Sequence, residues 1–329
     1  MHQEAILEIN DLALSFPVYR GQVKALNHVS LSVEAGEIVG IVGESGSGKS
    51  VTAMLVMRLL NERSYRVEQG HVHFQQQDLL GASERELRKI RGREIAMIFQ
   101  EPMNALNPTK TVGKQLMEVL RLHQPFSRHA AHQRVIELLT EMQIPDPQQV
   151  FNRYPFELSG GMRQRVLIAM AFSCNPKLII ADEPTTALDV TVQRQILNLL
   201  KMKAKERGTA VLFITHDMAV ISQLCDKVYV MYAGSVVESG ETEVLLHESA
   251  HPYTRGLLAC APELVAPQSD IETIAGTVPD LTQLPDGCAF RERCSKASAQ
   301  CRRRPPLQVI DENAQHDTMC WHPLTTEEA

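Results

Sequence analysis

The chain has 329 residues, 44% hydrophobic and 22% charged. That is a globular rather than a disordered composition, and the length suggests about two domains. Lys and Arg number 33 against 39 Asp and Glu, and the net charge of −6 argues against the nucleic-acid backbone as the main partner. The longest clean apolar run, residues 166–172, is seven residues, far below the ~20 of a membrane span. The opening Met1-His2-Gln3-Glu4-Ala5 has no basic n-region and no apolar h-region. A cytosolic chain is therefore expected, with any membrane spanning left to other chains.

In chain order, residues 5–9 and 25–33 carry the apolar enrichment and partial alternation of edge strands. A turn at 34–37 leads into 38–43, apolar throughout like a strand buried on both faces. A glycine-rich loop and a helical pattern over 51–60 follow. From about 101 to 157 helical periods dominate, over 112–122 and 130–142, and read as a helical insert. A helix is expected from 159 to 174, and then apolar runs at 178–181, 210–214 and 228–231 alternate with helices. Alternating strands and helices imply a parallel sheet in an α/β core. Residues 262–329 are rich in Pro, polar groups and Cys, and read as a small segment held by something other than a large apolar core.

Three motifs carry chemistry. Gly43-Glu44-Ser45-Gly46-Ser47-Gly48-Lys49-Ser50 fits G-x-x-x-x-G-K-[ST] between a buried strand and a helix beginning at Val51. Its glycines let backbone N–H groups face phosphate oxygens beside the positive helix end. Lys49 is expected to reach the β- and γ-phosphates and Ser50 to ligate Mg²⁺. Leu178-Ile179-Ile180-Ala181-Asp182-Glu183 places two carboxylates at a buried strand's C-terminal end. There Asp182 can hold Mg²⁺ through its water shell and Glu183 can act as general base. Alone, Asp-Glu before Pro184 is ordinary turn chemistry; the phosphate loop gives it meaning. Ser159-Gly160-Gly161 opens a predicted helix and exposes N–H groups, a second phosphate-binding surface.

Leu158-Ser159-Gly160-Gly161-Met162-Arg163-Gln164-Arg165 resembles the LSGGQ-type signature of ATP-binding-cassette (ABC) ATPases. Met162 stands where Gln is common, a departure similar to the peptide-importer branch. The other family motifs occur in order. Gln100 resembles the Q-loop glutamine, a further Mg²⁺ contact; Ala187-Leu188-Asp189 resembles the D-loop; and His216 in Ile214-Thr215-His216-Asp217 resembles the switch histidine. Phe16 is the candidate for stacking on adenine, with Tyr19 as its rival. The resemblance implies a P-loop NTPase core of ABC type with an antiparallel β edge, a helical subdomain and a small Cys-rich C-terminal extension. The domains are expected at 1–255, with the helical subdomain at about 101–157, and at 256–329. It also implies that the signature acts in trans, on the γ-phosphate held by a partner subunit.

No coiled coil, second cassette or fused membrane helix is visible, which leaves a separate importer ATPase. His251-Pro252-Tyr253-Thr254, Gly276-Thr277-Val278-Pro279 and residues 284–290 resemble the extension of oligopeptide and dipeptide importer ATPases. Residues 50–60 and 153–165 look most similar to the D,D-dipeptide (D-alanyl-D-alanine) branch. The implied partners are two membrane permeases, a second paralogous ATPase and, indirectly, a periplasmic substrate-binding protein, with the chain on the cytoplasmic face of the inner membrane. Residues 101–108 are expected to form the groove that receives a permease helix. A nickel or glutathione importer, or a regulatory ABC ATPase without transport, remain the alternatives.

Cys288, Cys294, Cys301 and Cys320, spaced x5, x6 and x18, could bind Zn²⁺ or an iron–sulfur cluster, or remain free. The looseness of the spacing and the family resemblance favour a structural [4Fe-4S] cluster. Cys174, Cys225 and Cys260 lie in apolar contexts and read as core residues, and Arg302-Arg303-Arg304 as solvated surface.

Overall fold

A computed structural model describes residues 5–19, 21–186, 188–261, 264 and 273–325. The chain divides into two compact units, Met1–Gly81 with Phe213–Ala329, and Ala82–Leu212. The division falls within the strand Ala210–Thr215.

The first unit contains an antiparallel sheet built on a long hairpin, Ala5–Val18 with Gly21–Glu34. Arg66–Phe74 lies on the hairpin's other side, followed by Gln77–Asp78. Alternation puts Leu7 and Ile9 on the core face opposite Val33 and Leu31, all buried. The alternation then breaks at Asn10-Asp11, where the sequence reading ends the strand. In the structure the strand continues through a bulge, with Asp11 at φ 50° and His28 at φ 56°. The extra residue re-phases the side chains, so Leu12 and Leu14 return to the core against Val29 and Leu26. Gly70 lies beneath this bulge: a Cβ there would sit 2.5 Å from the Asp11 carbonyl oxygen.

The second sheet of this unit centres on Ile38–Val42, whose five residues are all buried. It pairs in parallel with Lys227–Tyr232, which pairs antiparallel with Ser235–Glu241. Helix Met218–Leu224 packs on Gly40, where a Cβ would meet Ile221 Cδ1 at 2.4 Å and Cys225 Sγ at 3.0 Å. Cys225 is thus the core residue expected of it. The C-terminal segment joins this sheet. His316–Thr318 pairs with Ser235–Glu241, and Gln308–Asp311 pairs with His316–Thr318. Glu238 anchors the join from within the core: its carboxylate accepts N–H groups of Ala250 (2.5 Å) and His251 (3.1 Å) and faces His316 Nε2 at 2.8 Å. The three-residue strand is too short to show a period, which is why it escapes a sequence reading.

The second unit holds a parallel pair, Ile95–Ile98 with Leu178–Asp182. Around it are the helices Val112–His123, Arg128–Glu141, Pro147–Asn152, Gly160–Phe172 and Val190–Arg207. The first three pack on one another through Leu116, Leu120, Val135, Leu138 and Val150, all buried. Arg207 ties two layers together, donating to Phe172 O (2.7 Å) and Asn175 Oδ1 (2.9 Å) and pairing with Glu141. Among the described residues no helix is long and apolar enough to cross a membrane.

Candidate nucleotide site and cysteine pocket

In the first unit, strand Ile38–Val42 ends at the glycine-rich loop, and the loop opens helix Lys49–Val56. Gly43 and Gly48 adopt φ values of 155° and 102°, and close approach forbids a side chain at either. A Cβ on Gly43 would lie 2.1 Å from Met231 O, and one on Gly48 2.7 Å from Ala25 O. Ser45 and Gly46 are exposed at the tip and Ser50 is half-buried. Lys49 is buried, and its Nζ donates to Gly43 O (2.7 Å) and Glu44 O (2.9 Å), so the cation lies inside the curl of the loop. The helix ends at Val56, short of the expected residue 60. Arg58 takes φ 49° there, and its guanidinium donates to Leu79 O at 3.0 Å, which turns the chain away. His216 is exposed after strand Ala210–Thr215, and Asp217 beside it caps helix Met218–Leu224 through the Ala219 N–H at 2.8 Å. Phe16, half-buried on the hairpin, makes edge contact with Tyr65 at 6.4 Å, while Tyr19 is 97% exposed.

In the second unit, strand Leu178–Asp182 delivers a buried Asp182 followed by Glu183. Glu183 has φ 45°, a left-handed conformation costly for a non-glycine residue. Two donors converge on one oxygen of its carboxylate: Gln100 Nε2 and Thr186 Oγ1 each donate to Oε2 at 3.1 Å. The fold therefore brings Gln100 and Glu183 together across 83 residues of sequence. Ser159 caps helix Gly160–Phe172 by accepting the Met162 N–H at 3.3 Å, and Asp189 caps Val190–Arg207 by accepting the Val192 N–H at 3.0 Å. The two helix starts touch, since a Cβ on Gly161 would meet Val192 Cγ1 at 2.8 Å. Of the D-loop motif, Ala187 lies outside the described residues.

The four C-terminal cysteines, dispersed over the sequence, line one small pocket together with His251, Phe290, Lys296 and Trp321. Cys301 and Cys320 are buried and all four are free thiols. Burial pushes the Cys288 and Cys294 thiols up, and that of Cys320 to about 11. Backbone N–H groups of Ser298 (3.5 Å) and His322 (3.3 Å) point at the sulfurs of Cys301 and Cys320. Among the described residues no group of three or more His, Cys, Asp or Glu is arranged to hold a metal ion.

Sequence reasoning missed what holds Glu44. Its N–H donates to Tyr253 Oη at 2.9 Å, and its carboxylate is forked by Arg293 at 2.6 and 3.1 Å. These partners lie 209 and 249 residues away, beyond any local signal.

A phosphate-cradling loop between buried strand and helix, with an acidic pair ending another strand, defines a P-loop nucleotide hydrolase. The ABC transporter family matches residues 26–186, and the family described as "Oligopeptide/dipeptide transporter, C-terminal region" matches 237–301. The chain is 62% identical, over 97% of each sequence, to the "Probable D,D-dipeptide transport ATP-binding protein DdpD" of Escherichia coli (strain K12). It is 47% identical to the "Oligopeptide transport ATP-binding protein OppD" of Bacillus subtilis (strain 168), over 97% of this chain and 89% of that one. Among solved structures, the dimeric ATP-binding cassette MJ0796 bound to ADP and Pi is 29% identical, with a TM-score of 0.64, and covers 72% of this chain and 98% of its own. CbiO1 from Clostridium perfringens is 26% identical, with a TM-score of 0.63 over 74% and 91%. The chain belongs to the ABC transporter ATPases, within the group that carries the peptide-transporter C-terminal region. Its activity is ATP hydrolysis coupled to transport.

Proposed function

We propose that the chain energises uptake of di- and oligopeptides, D,D-dipeptides among them, through separate membrane permeases. The observation that carries the hydrolytic part is the loop of residues 43–50, whose Gly43 and Gly48 admit no side chain and whose Lys49 is already enclosed. The whole-length similarity to a D,D-dipeptide transport protein supports the cargo. Lys49 neutralises the β- and γ-phosphates, Glu183 takes the proton of the attacking water, and Gln100 with Thr186 holds that carboxylate in place. His216 contacts the γ-phosphate and Phe16 stacks on adenine. Ser50, Asp182 and Gln100 are the proposed Mg²⁺ ligands, and the ion, when bound, offsets charge on the phosphate oxygens. Ser159, Gly160, Gly161 and Met162, with Asp189, serve the ATP of a second, paralogous ATPase subunit. The nucleotide-binding domain is taken as 1–255, its helical subdomain at about 101–157 receiving a permease helix, and the extension as 256–329. The assembly sits on the cytoplasmic face of the inner membrane, fed by a periplasmic binding protein. Lys49→Ala should abolish ATP turnover and weaken ATP binding. Glu183→Gln should lower turnover by about 10²–10⁴ while MgATP still binds. Normal hydrolysis by Glu183→Gln would remove it as the base.

The lining of one small pocket by Cys288, Cys294, Cys301 and Cys320 supports a reading in which these residues hold a shared group. Two of these sulfurs, those of Cys301 and Cys320, receive backbone N–H donors. We propose a [4Fe-4S] cluster there, which when bound cross-links a segment poor in apolar contacts. Anaerobically purified protein should be brown, with roughly four irons per chain. Stoichiometric zinc without iron would reject the cluster.

A further inference from the structure

The guanidinium of Arg293 joins the cysteine-rich segment to the phosphate loop. Its side chain is 4% exposed. Arginine has five N–H donors, and here each has an acceptor. Nε donates to Ala275 O at 2.8 Å, Nη1 to Glu44 Oε2 at 2.6 Å and Tyr232 Oη at 3.4 Å, and Nη2 to Glu44 Oε1 at 3.1 Å and Ile274 O at 3.2 Å. The ring faces of Tyr232 and Phe290 lie 5.8 Å from it. A partly buried, bidentate pair of this kind fixes geometry more strictly than an exposed one.

What it fixes is the loop. Glu44 is the second loop residue, and its carbonyl accepts both Lys49 Nζ (2.9 Å) and the Ser47 N–H (3.2 Å). Its own N–H is held by Tyr253, which packs edge-on against Tyr232 at 4.6 Å. Arg293 therefore orients Glu44 at the side chain, Tyr253 at the backbone, and Glu44 in turn orients the cation that meets phosphate. Arg293 directly precedes Cys294, so the fold of the cysteine pocket sets where the guanidinium stands.

We propose that Arg293 is a positioning residue for the phosphate loop, through which the cysteine-rich segment preorganises the loop for ATP. The proposal rests on the nucleotide-site reading given above. It places the effect on ATP affinity rather than on the chemical step, because Glu183 and its supports are untouched.

The test uses the full chain and MgATP. Arg293→Gln should raise the MgATP Kd on the order of 10-fold, with turnover at saturating ATP near wild type when the chain is assembled with its partners. Glu44→Gln, which removes the same fork from the loop side, should raise the MgATP Kd to a similar extent. The double variant should be no worse than either single, since both remove one shared contact. Arg293→Lys keeps the charge but not the fork, and should fall between wild type and Arg293→Gln; it also serves if Arg293→Gln does not fold. A wild-type Kd in folded Arg293→Gln, or in Arg293→Lys where only that variant folds, would overturn the proposal. So would additive losses in the double variant, or an equal loss in turnover at saturation. Lys49→Ala is the control: if ATP binding survives it, the nucleotide-site reading itself fails; if it does not and Arg293 variants bind normally, only the positioning role fails.

Discussion

His251 shows how one buried side chain ties stability to pH. It caps helix Pro252–Ala259 by accepting the Tyr253 N–H on Nδ1 at 3.0 Å, and it is 1% exposed. Burial pushes its pKa down to about 4, against the opposing pull of the Glu238 carboxylate. In the unfolded chain a histidine titrates near ~6.5. Between those values the unfolded state holds a proton that the folded state refuses, so stability rises with pH across the window. The contribution is complete above about 6.5 and lost as pH falls toward 4, for a total of about 3 kcal/mol. His251→Asn keeps an oxygen to cap the helix and removes the titration. Thermal unfolding at pH 7 and pH 4.5 should show a smaller acid-induced loss in His251→Asn than in the wild type. Equal losses would show that another group governs the acid limb.

At the scale of elements, the helical cluster of the second unit depends on a glycine used for space. Gly113, in the first turn of Val112–His123, has helical backbone, yet a Cβ there would lie 2.2 Å from Phe151 Cδ2. Alanine in a helix gains up to about 1 kcal/mol over glycine, but overpacking costs about 1–3 kcal/mol. At this distance the clash wins. Gly113→Ala should destabilise the cluster by a net 1–2 kcal/mol or so, read by denaturant unfolding, and Phe151→Leu in that background should recover part of the loss. A more stable Gly113→Ala would show that the ring moves aside freely. The same cluster shows what sequence can reveal. Helices over 112–122 and 130–142 were legible because Leu116, Leu120, Val135 and Leu138 repeat with helical period, and the observed Val112–His123 and Arg128–Glu141 match them closely. Strand Arg66–Phe74 was not legible, since only Val72 and Phe74 of its residues are buried. The loop of residues 43–50 and Asp182-Glu183 were legible because their chemistry is local. The grip of Arg293 and Tyr253 on Glu44 was not, because neither partner is marked by spacing.

For the whole molecule, each motif proposed for the ATP site is present once, and the proposed signature is argued to serve a partner's nucleotide from its exposure. Its surface is presented outward: Ser159, Gly160 and Asp189 are exposed where two helices begin side by side. Helix starts of this kind attract phosphate, and the MJ0796 cassette similar to this fold was solved as a dimer. A signature acting in trans predicts that damage to it appears at the partner's site. Ser159→Arg fills the surface with a bulky side chain, and it also loses the cap on the Met162 N–H, which costs about 1 kcal/mol of helix stability. Ser159→Asn, which retains a capping oxygen, separates the two effects. Mixed with a wild-type partner ATPase, Ser159→Arg should suppress turnover at the partner's phosphate loop and leave ATP binding at Lys49 intact, while Ser159→Asn should be far milder. Site-resolved turnover, with Lys49→Ala or its counterpart silencing one loop at a time, distinguishes the two sites. If Ser159→Arg removes ATP binding in its own isolated chain, the signature acts in cis and the paired arrangement does not apply to this protein.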